Sequence, residues 1–187
     1  MRALLTILPF ALVVAVPAVA AETVPVAAFD SVQLRGGGTL SVRPGPAQRV
    51  TIVSGSSQFT RIRVDNRGQL KIDACNDRCP RHYDLRIEIV SPSAPDAAIS
   101  GGGAISFAPG FSPQGELSVA VSGGGSIDAR AIRASNVNAA VNGGGRVLTG
   151  RSERLAAAVN GGGEVRYAGS PQVSSVDNGG GAVRRGD

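Results

Sequence analysis

The chain has 187 residues, of which 26 are Gly, and carries 19 Lys and Arg against 14 Asp and Glu, a formal net charge of +5. Six Gly-Gly-Gly triplets hold 18 of those glycines, which excludes both a collagen, with Gly at every third position, and a linker with Gly scattered among Ser. With 42% apolar residues the chain can bury a core; with no Trp and few aromatics, that core must come from Val, Ile, Leu and Ala, the material of stacked strands.

Met1-Arg2 and the apolar run Ala3 to Ala21 carry one positive charge, a long hydrophobic stretch and small residues at the end, the pattern of a secretory signal peptide over residues 1–20. Ala18-Val19-Ala20 places cleavage after Ala20 or Ala21. No basic stop-transfer flank comes after the run, so no integral membrane span is expected after cleavage.

Residues 29–95 alternate apolar and polar, as in Val50-Thr51-Ile52-Val53, Arg61-Ile62-Arg63-Val64, Leu70-Lys71-Ile72-Asp73 and Leu85-Arg86-Ile87-Glu88-Ile89, the signature of half-exposed strands. They are expected to form irregular N-terminal coils that cap the strand edge of the second half of the chain. Within them lies Cys75-Asn76-Asp77-Arg78-Cys79. In an exported chain two cysteines this close pair across a tight loop, a link worth roughly 2 kcal/mol that pins the loop rather than the fold. A haem or zinc site using His82, the only histidine, has the wrong spacing and no fourth ligand. No metal or cofactor is expected.

Residues 96–187 carry a repeat. Triplets beginning at Gly101, Gly123, Gly143, Gly161 and Gly179 succeed one another at 18–22 residues. Two residues after each comes Ile105, Ile127, Val147, Val165 or Val183, an unbroken β-branched column. Two before come Ile99, Val121, Val141, Val159 and then Asp177, and directly before come Ser100, Ser122, Asn142, Asn160 and Asn178. Positions on either side of a glycine corner face one interior only if short strands enter and leave it in step. The pattern predicts an all-β, right-handed parallel β-helix, with about 18–22 residues and three short strands per coil. Glycines mark the stacked corners, a Ser or Asn bonds to the free backbone beside each, and residues 29–187 form one domain. Asp177 and Arg184-Arg185 end the pattern with charge.

Phe29-Asp30-Ser31-Val32-Gln33-Leu34, Leu70-Lys71-Ile72 before a variable loop, Ile87-Glu88-Ile89-Val90-Ser91-Pro92 and the repeated Ser-Gly-Gly-Gly or Asn-Gly-Gly-Gly units resemble the auto-transporter adhesin, head GIN domain family over about residues 29–184. That resemblance implies a bacterial β-helix exported to the periplasm, cell envelope or exterior, with an adhesin-like role and no catalytic residues to carry over.

The residues themselves agree in lacking a convergent catalytic set. Register alignment puts Arg146 beside Glu164 but stacks no two acids in neighbouring coils, and Phe107 and Tyr167 share a column three coils apart, too far for a sugar platform. The arginines are spread without long runs or interleaved aromatics, which argues against nucleic acid as a partner. The reading is a non-catalytic envelope module that contacts a protein or glycan. Its alternative is a weak carbohydrate-active enzyme relying on Asp128 or Glu164.

Overall fold

The computed structural model describes residues 21–76 and 78–186; the predicted signal peptide at 1–20 lies outside them. Every regular element among the described residues is a strand. The first half holds β1 (Glu22–Val24), β2 (Ser31–Gly36), β3 (Thr39–Pro44), β4 (Arg49–Ser54), β5 (Arg61–Val64), β6 (Gln69–Asp73) and β7 (Arg86–Ser91). The second holds β8 (Asp96–Gly101), β9 (Ala104–Phe107), β10 (Gln114–Gly123), β11 (Ser126–Ala129) and β12 (Ala134–Gly143). It ends with β13 (Arg146–Asn160), β14 (Glu164–Ala168), β15 (Gln172–Asn178) and β16 (Ala182–Arg185).

Two parallel ladders organise these strands. One runs β6-β2-β8-β10-β12-β13-β15. The other runs β7-β3-β9-β11-β13-β14-β16. Each glycine triplet is the corner where the chain leaves the first ladder and enters the second, so triplets stack on triplets. The ladders join through β13 into one sheet that nearly closes on itself. That 15-residue strand passes from one ladder to the other without a break, and its bend has room only for Gly150, where a Cβ would lie 2.0 Å from the Ile132 carbonyl oxygen.

Each rung therefore contains two strands, not the expected three. The first-ladder strands of the repeat are long, pairing from Gln114 opposite Ala134 to Gly123 opposite Gly143, and this single strand takes up the path length assigned to two. Alternation along it sends Leu117, Val119 and Val121 inward and Ser118, Ala120 and Ser122 outward.

The inward columns are in strict register. Ile105, Ile127, Val147 and Val165 pair in sequence and are at most 1% exposed, as are Ile99, Val121, Val141 and Val159 opposite them. Each such side chain contributes about 1.5–3 kcal/mol by leaving water. Val183 continues the first column half-buried, and Asp177 ends the second on β15, whose residues are all exposed.

The first triplet belongs to the same stack despite its distance in sequence. Gly36 pairs with Gly101, 65 residues later, because residues 39–95 fold back and return. Within that excursion β6 lies parallel beside β2 and β7 parallel beside β3, forming a further rung whose corner is the cysteine loop. Backbone bonds from Ala74 N to Arg35 O (3.0 Å) and from Thr39 N to Leu85 O (2.8 Å) fasten that loop onto the first triplet. Antiparallel β1, β4 and β5 close this end, β4 on β7 and β5 on β6.

Candidate binding surface

The three glycines of a triplet are not equivalent. The first has positive φ in every triplet, from 90° at Gly36 to 135° at Gly179, the left-handed region that favours glycine. In the regular stack a Cβ there would also sit 2.6–2.9 Å from a carbonyl oxygen of the rung before. The third glycine is shut by packing. A Cβ on Gly125, Gly145, Gly163 or Gly181 would lie 2.3–2.7 Å from a methyl of Ile99, Val121, Val141 or Val159. The middle glycine meets no such limit. At Gly124, Gly144, Gly162 and Gly180 no heavy atom lies within 4 Å of where a Cβ would be, and φ is not positive.

These bare middle positions floor a groove of about 560 Å³ that runs along the corner from Gly124 to Gly181. Ser126, Arg146, Glu164, Ala182 and Arg184 form its rim. Glu164 and Arg166 lie two apart on one strand, and register puts Arg146 on the rung before and Arg184 on the rung after. Their side chains converge. Arg146 Nε is 3.2 Å from Glu164 Oε2. Arg166 Nε donates to Oε1 at 2.8 Å, and Arg184 Nε donates to the same oxygen. The hydrogen bond from Arg166, aided by Arg184 and the charge of both, holds the Glu164 carboxyl below the usual glutamate range against the opposing effect of its desolvation. The carboxylate is largely covered, 13% exposed, while the three arginines remain 41–59% exposed.

Asp128, one column over, is held by a bidentate pair with Arg130, Nε at 3.0 Å and Nη2 at 2.6 Å, which lowers its pKa as well. The two carboxylates considered for acid–base chemistry thus lie on different rungs, each with its own arginine partners.

A second groove of about 610 Å³ crosses the outward face of the first ladder. Its centre line is Ala98, Ala120, Ala140, Ala158 and Val176, in register from β8 to β15. Asp96 stands at its edge, where half-burial raises its pKa; the amide of Ser118, 2.7 Å away, partly offsets that by bonding Oδ1. Sequence reasoning missed this carboxyl, since nothing in its neighbours marks it as desolvated.

The asparagines beside the triplets do not bond the corner backbone as expected. Asn178 Nδ2 donates to Asn160 Oδ1 and Asn160 Nδ2 to Asn142 Oδ1, each at 3.1 Å, a ladder that parallel register makes available when identical side chains stack. Tyr167, Thr149 and Ala129 pair in line, and Phe107 follows Ser106, the partner of Asp128, which puts it at the head of the same column, three rungs from Tyr167; Phe107 packs edge-on against Phe111 at 6.4 Å.

Cys75 and Cys79 form a disulfide, Cα–Cα 5.8 Å. Tyr83 braces the same loop: its hydroxyl is 2.6 Å from Thr60 Oγ1, accepts from Ser56 N at 2.9 Å, and its ring meets Phe59 edge-on at 5.8 Å. His82 is exposed beside it. Among the described residues no group of three or more His, Cys, Asp or Glu could hold a metal ion, and no helix is long and apolar enough to cross a membrane.

Residues 110–171, the heart of the regular stack, match the family model described as "Putative auto-transporter adhesin, head GIN domain". The resemblance, read over about residues 29–184, is thereby shown over 110–171, which hold the triplets at Gly123, Gly143 and Gly161. No curated protein matches the chain. Among solved structures, a "putative adhesin" from Bacteroides fragilis is similar at 19% identity and TM-score 0.55, over 88% of this chain and 95% of that one. A "putative lipid binding protein" from Parabacteroides distasonis matches at 15% identity and TM-score 0.39, over 90% and 96%. A "putative cell adhesion protein" from Clostridium sporogenes matches at 10% and 0.35, over 88% and 97%. At these identities the first likeness shows a shared all-β fold.

Proposed function

We propose that this chain is a non-catalytic, adhesin-like module of the bacterial cell envelope, exported and built as a right-handed parallel β-helix, that holds a protein or glycan partner along its sides. The β-helix reading is supported by two ladders of parallel pairs advancing together by 18–22 residues, and the handedness by the strong rule for parallel strand–crossover–strand connections. The exported, envelope location is supported by the match to an adhesin family.

One observation carries the functional reading. The two grooves are open troughs spanning several rungs, and Asp128 and Glu164 are tied up as ionised partners of arginines. An extended trough fits an extended partner. A carboxyl held ionised by guanidinium groups is a poor proton donor at neutral pH. The test is a binding screen of the purified chain against envelope proteins and surface glycans, run with a deletion strain. Capture of a surface component, with its loss in the deletion strain, is expected. A blank screen with an unchanged envelope would contradict the reading, as would glycan breakdown abolished by Asp128→Ala or Glu164→Ala.

A further inference from the structure

We propose that the glycine-floored corner groove is a binding site for a linear acidic polysaccharide, with Arg146 and Arg184 of its lining, and Arg166 beside them on the shared Glu164, receiving its carboxylate or sulfate groups. This rests on the surface-contact reading above and names its ligand class.

The arginines come first. Three guanidinium groups from three successive rungs converge on one carboxylate, Glu164, which leaves two positive charges uncompensated among the described residues of the cluster. The cluster already holds a carboxylate, that of Glu164, so its donors suit that group. All three arginines contact it through Nε and remain substantially exposed. Each guanidinium carries more N–H donors than its one Nε contact uses, so donors remain for a further carboxylate or sulfate.

The floor supplies the second part. First and third glycines are demanded by stacking, but the middle ones are not: their φ is ordinary and nothing lies within 4 Å of a Cβ. A glycine there costs conformational freedom that alanine would not. Four rungs in succession nevertheless keep the position bare. The consequence is a trough whose floor is exposed peptide backbone, beside the arginines, and at about 4.8 Å per rung it runs roughly 14 Å from Gly124 to Gly180.

This combination selects the ligand. The carbonyls of Gly125, Gly145 and Gly163 are taken by the amides of the next rung, but a floor without side chains still gives a flat, hydroxyl-rich chain steric room to lie along the corner. The lining holds no aromatic side chain, so nucleic-acid bases find no stacking platform. It holds no large apolar side chain either, so an acyl chain finds no apolar bed. The length spanned suits several units of a polymer, and the charge suits an acidic one.

The experiment measures affinity of the full chain for polygalacturonate, heparin as a sulfated probe, dextran as a neutral probe and single-stranded DNA, at low and high salt. Wild type should bind the acidic polysaccharides, more weakly as salt rises, and dextran at least tenfold less well. Arg146→Gln with Arg184→Gln should weaken polygalacturonate binding tenfold or more with the melting temperature within a few degrees of wild type. Arg63→Gln, at the distant pair with Asp73, should leave it unchanged. Glu164→Gln should tighten binding severalfold by freeing the three guanidinium groups, a gain that structural damage cannot mimic, so this arm decides even if the double variant fails to fold. Equal binding of dextran or DNA, an unaffected double variant, or Glu164→Gln that binds no better would each overturn the proposal. If acidic glycans fail while another envelope component binds, this site assignment falls and the adhesin-like reading stands; if nothing binds, both fall.

Discussion

Replacing one glycine of a single triplet by alanine at two adjacent positions should have opposite effects on stability. At Gly163 the new Cβ would lie 2.4 Å from Val141 Cγ1, 2.7 Å from the Gly145 carbonyl oxygen and 3.0 Å from that of Gly143. Two of these are backbone of the rung before, locked in the ladder, and the third belongs to a fully buried side chain. Overpacking of this kind costs about 1–3 kcal/mol. At Gly162, one residue earlier, nothing lies within 4 Å and φ is not positive, so alanine adds no strain and removes freedom from the unfolded chain, a gain of about 0.4–1 kcal/mol. For a chain of this size 1 kcal/mol moves the melting temperature by about 2–4 °C, so the two variants should separate by about 3–16 °C, on opposite sides of wild type. Circular dichroism at the strand band during heating reads this directly. If Gly162→Ala destabilised as much as Gly163→Ala, the division of each triplet into stacking and open positions would be refuted.

Val147 is fully buried between Ile127 and Val165, so Val147→Asp should cost at least about 3 kcal/mol in urea denaturation, and an unchanged midpoint would contradict the inward column. Asp96→Asn keeps an oxygen for the Ser118 amide while removing a carboxylate that burial disfavours, so it should raise the melting temperature at pH 7 but not at pH 3, where Asp96 is already protonated. Asp65 is held at about 2 by its hydrogen bond from Lys71, then by the amides of Arg67 and Gln69. Its folded pKa lies below the unfolded one, so its stabilisation is present at neutral pH and is lost as pH falls from the ordinary carboxylate range toward 2. An NMR titration should place its midpoint near 2, and Lys71→Gln should move it up; a midpoint at the ordinary 3.8 would contradict the pairing.

The glycine rhythm makes the ladder register legible in the sequence alone. Residues two before and two after each triplet share a face only when the triplet is a corner, and Ile105, Ile127, Val147 and Val165 do pair in line. The number of strands per rung was not legible, because ten residues such as Gln114–Gly123 read equally well as one long strand or two short ones. The return of the chain after residue 39 was hidden for a different reason: Gly36 meets Gly101 across 65 residues, and no local pattern encodes a closure of that length. Nor could three identical letters reveal three roles. Gly161, Gly162 and Gly163 differ only in what the neighbouring rung presents to each. The arginine cluster was half visible. Arg146 beside Glu164 came directly from register, whereas Arg166 and Arg184 join through the same-face neighbour two residues on and the rung after, an alignment that needed two columns read together.

Stacking uses the outer glycines of each triplet, while the middle ones keep a groove clear. The most direct measurement of that division is the affinity of a Gly144→Leu, Gly162→Leu double variant for polygalacturonate, read beside its thermal melt. A melting temperature at or above wild type should accompany a loss of binding of tenfold or more. Unchanged affinity in a folded variant would contradict the role given to the middle glycines.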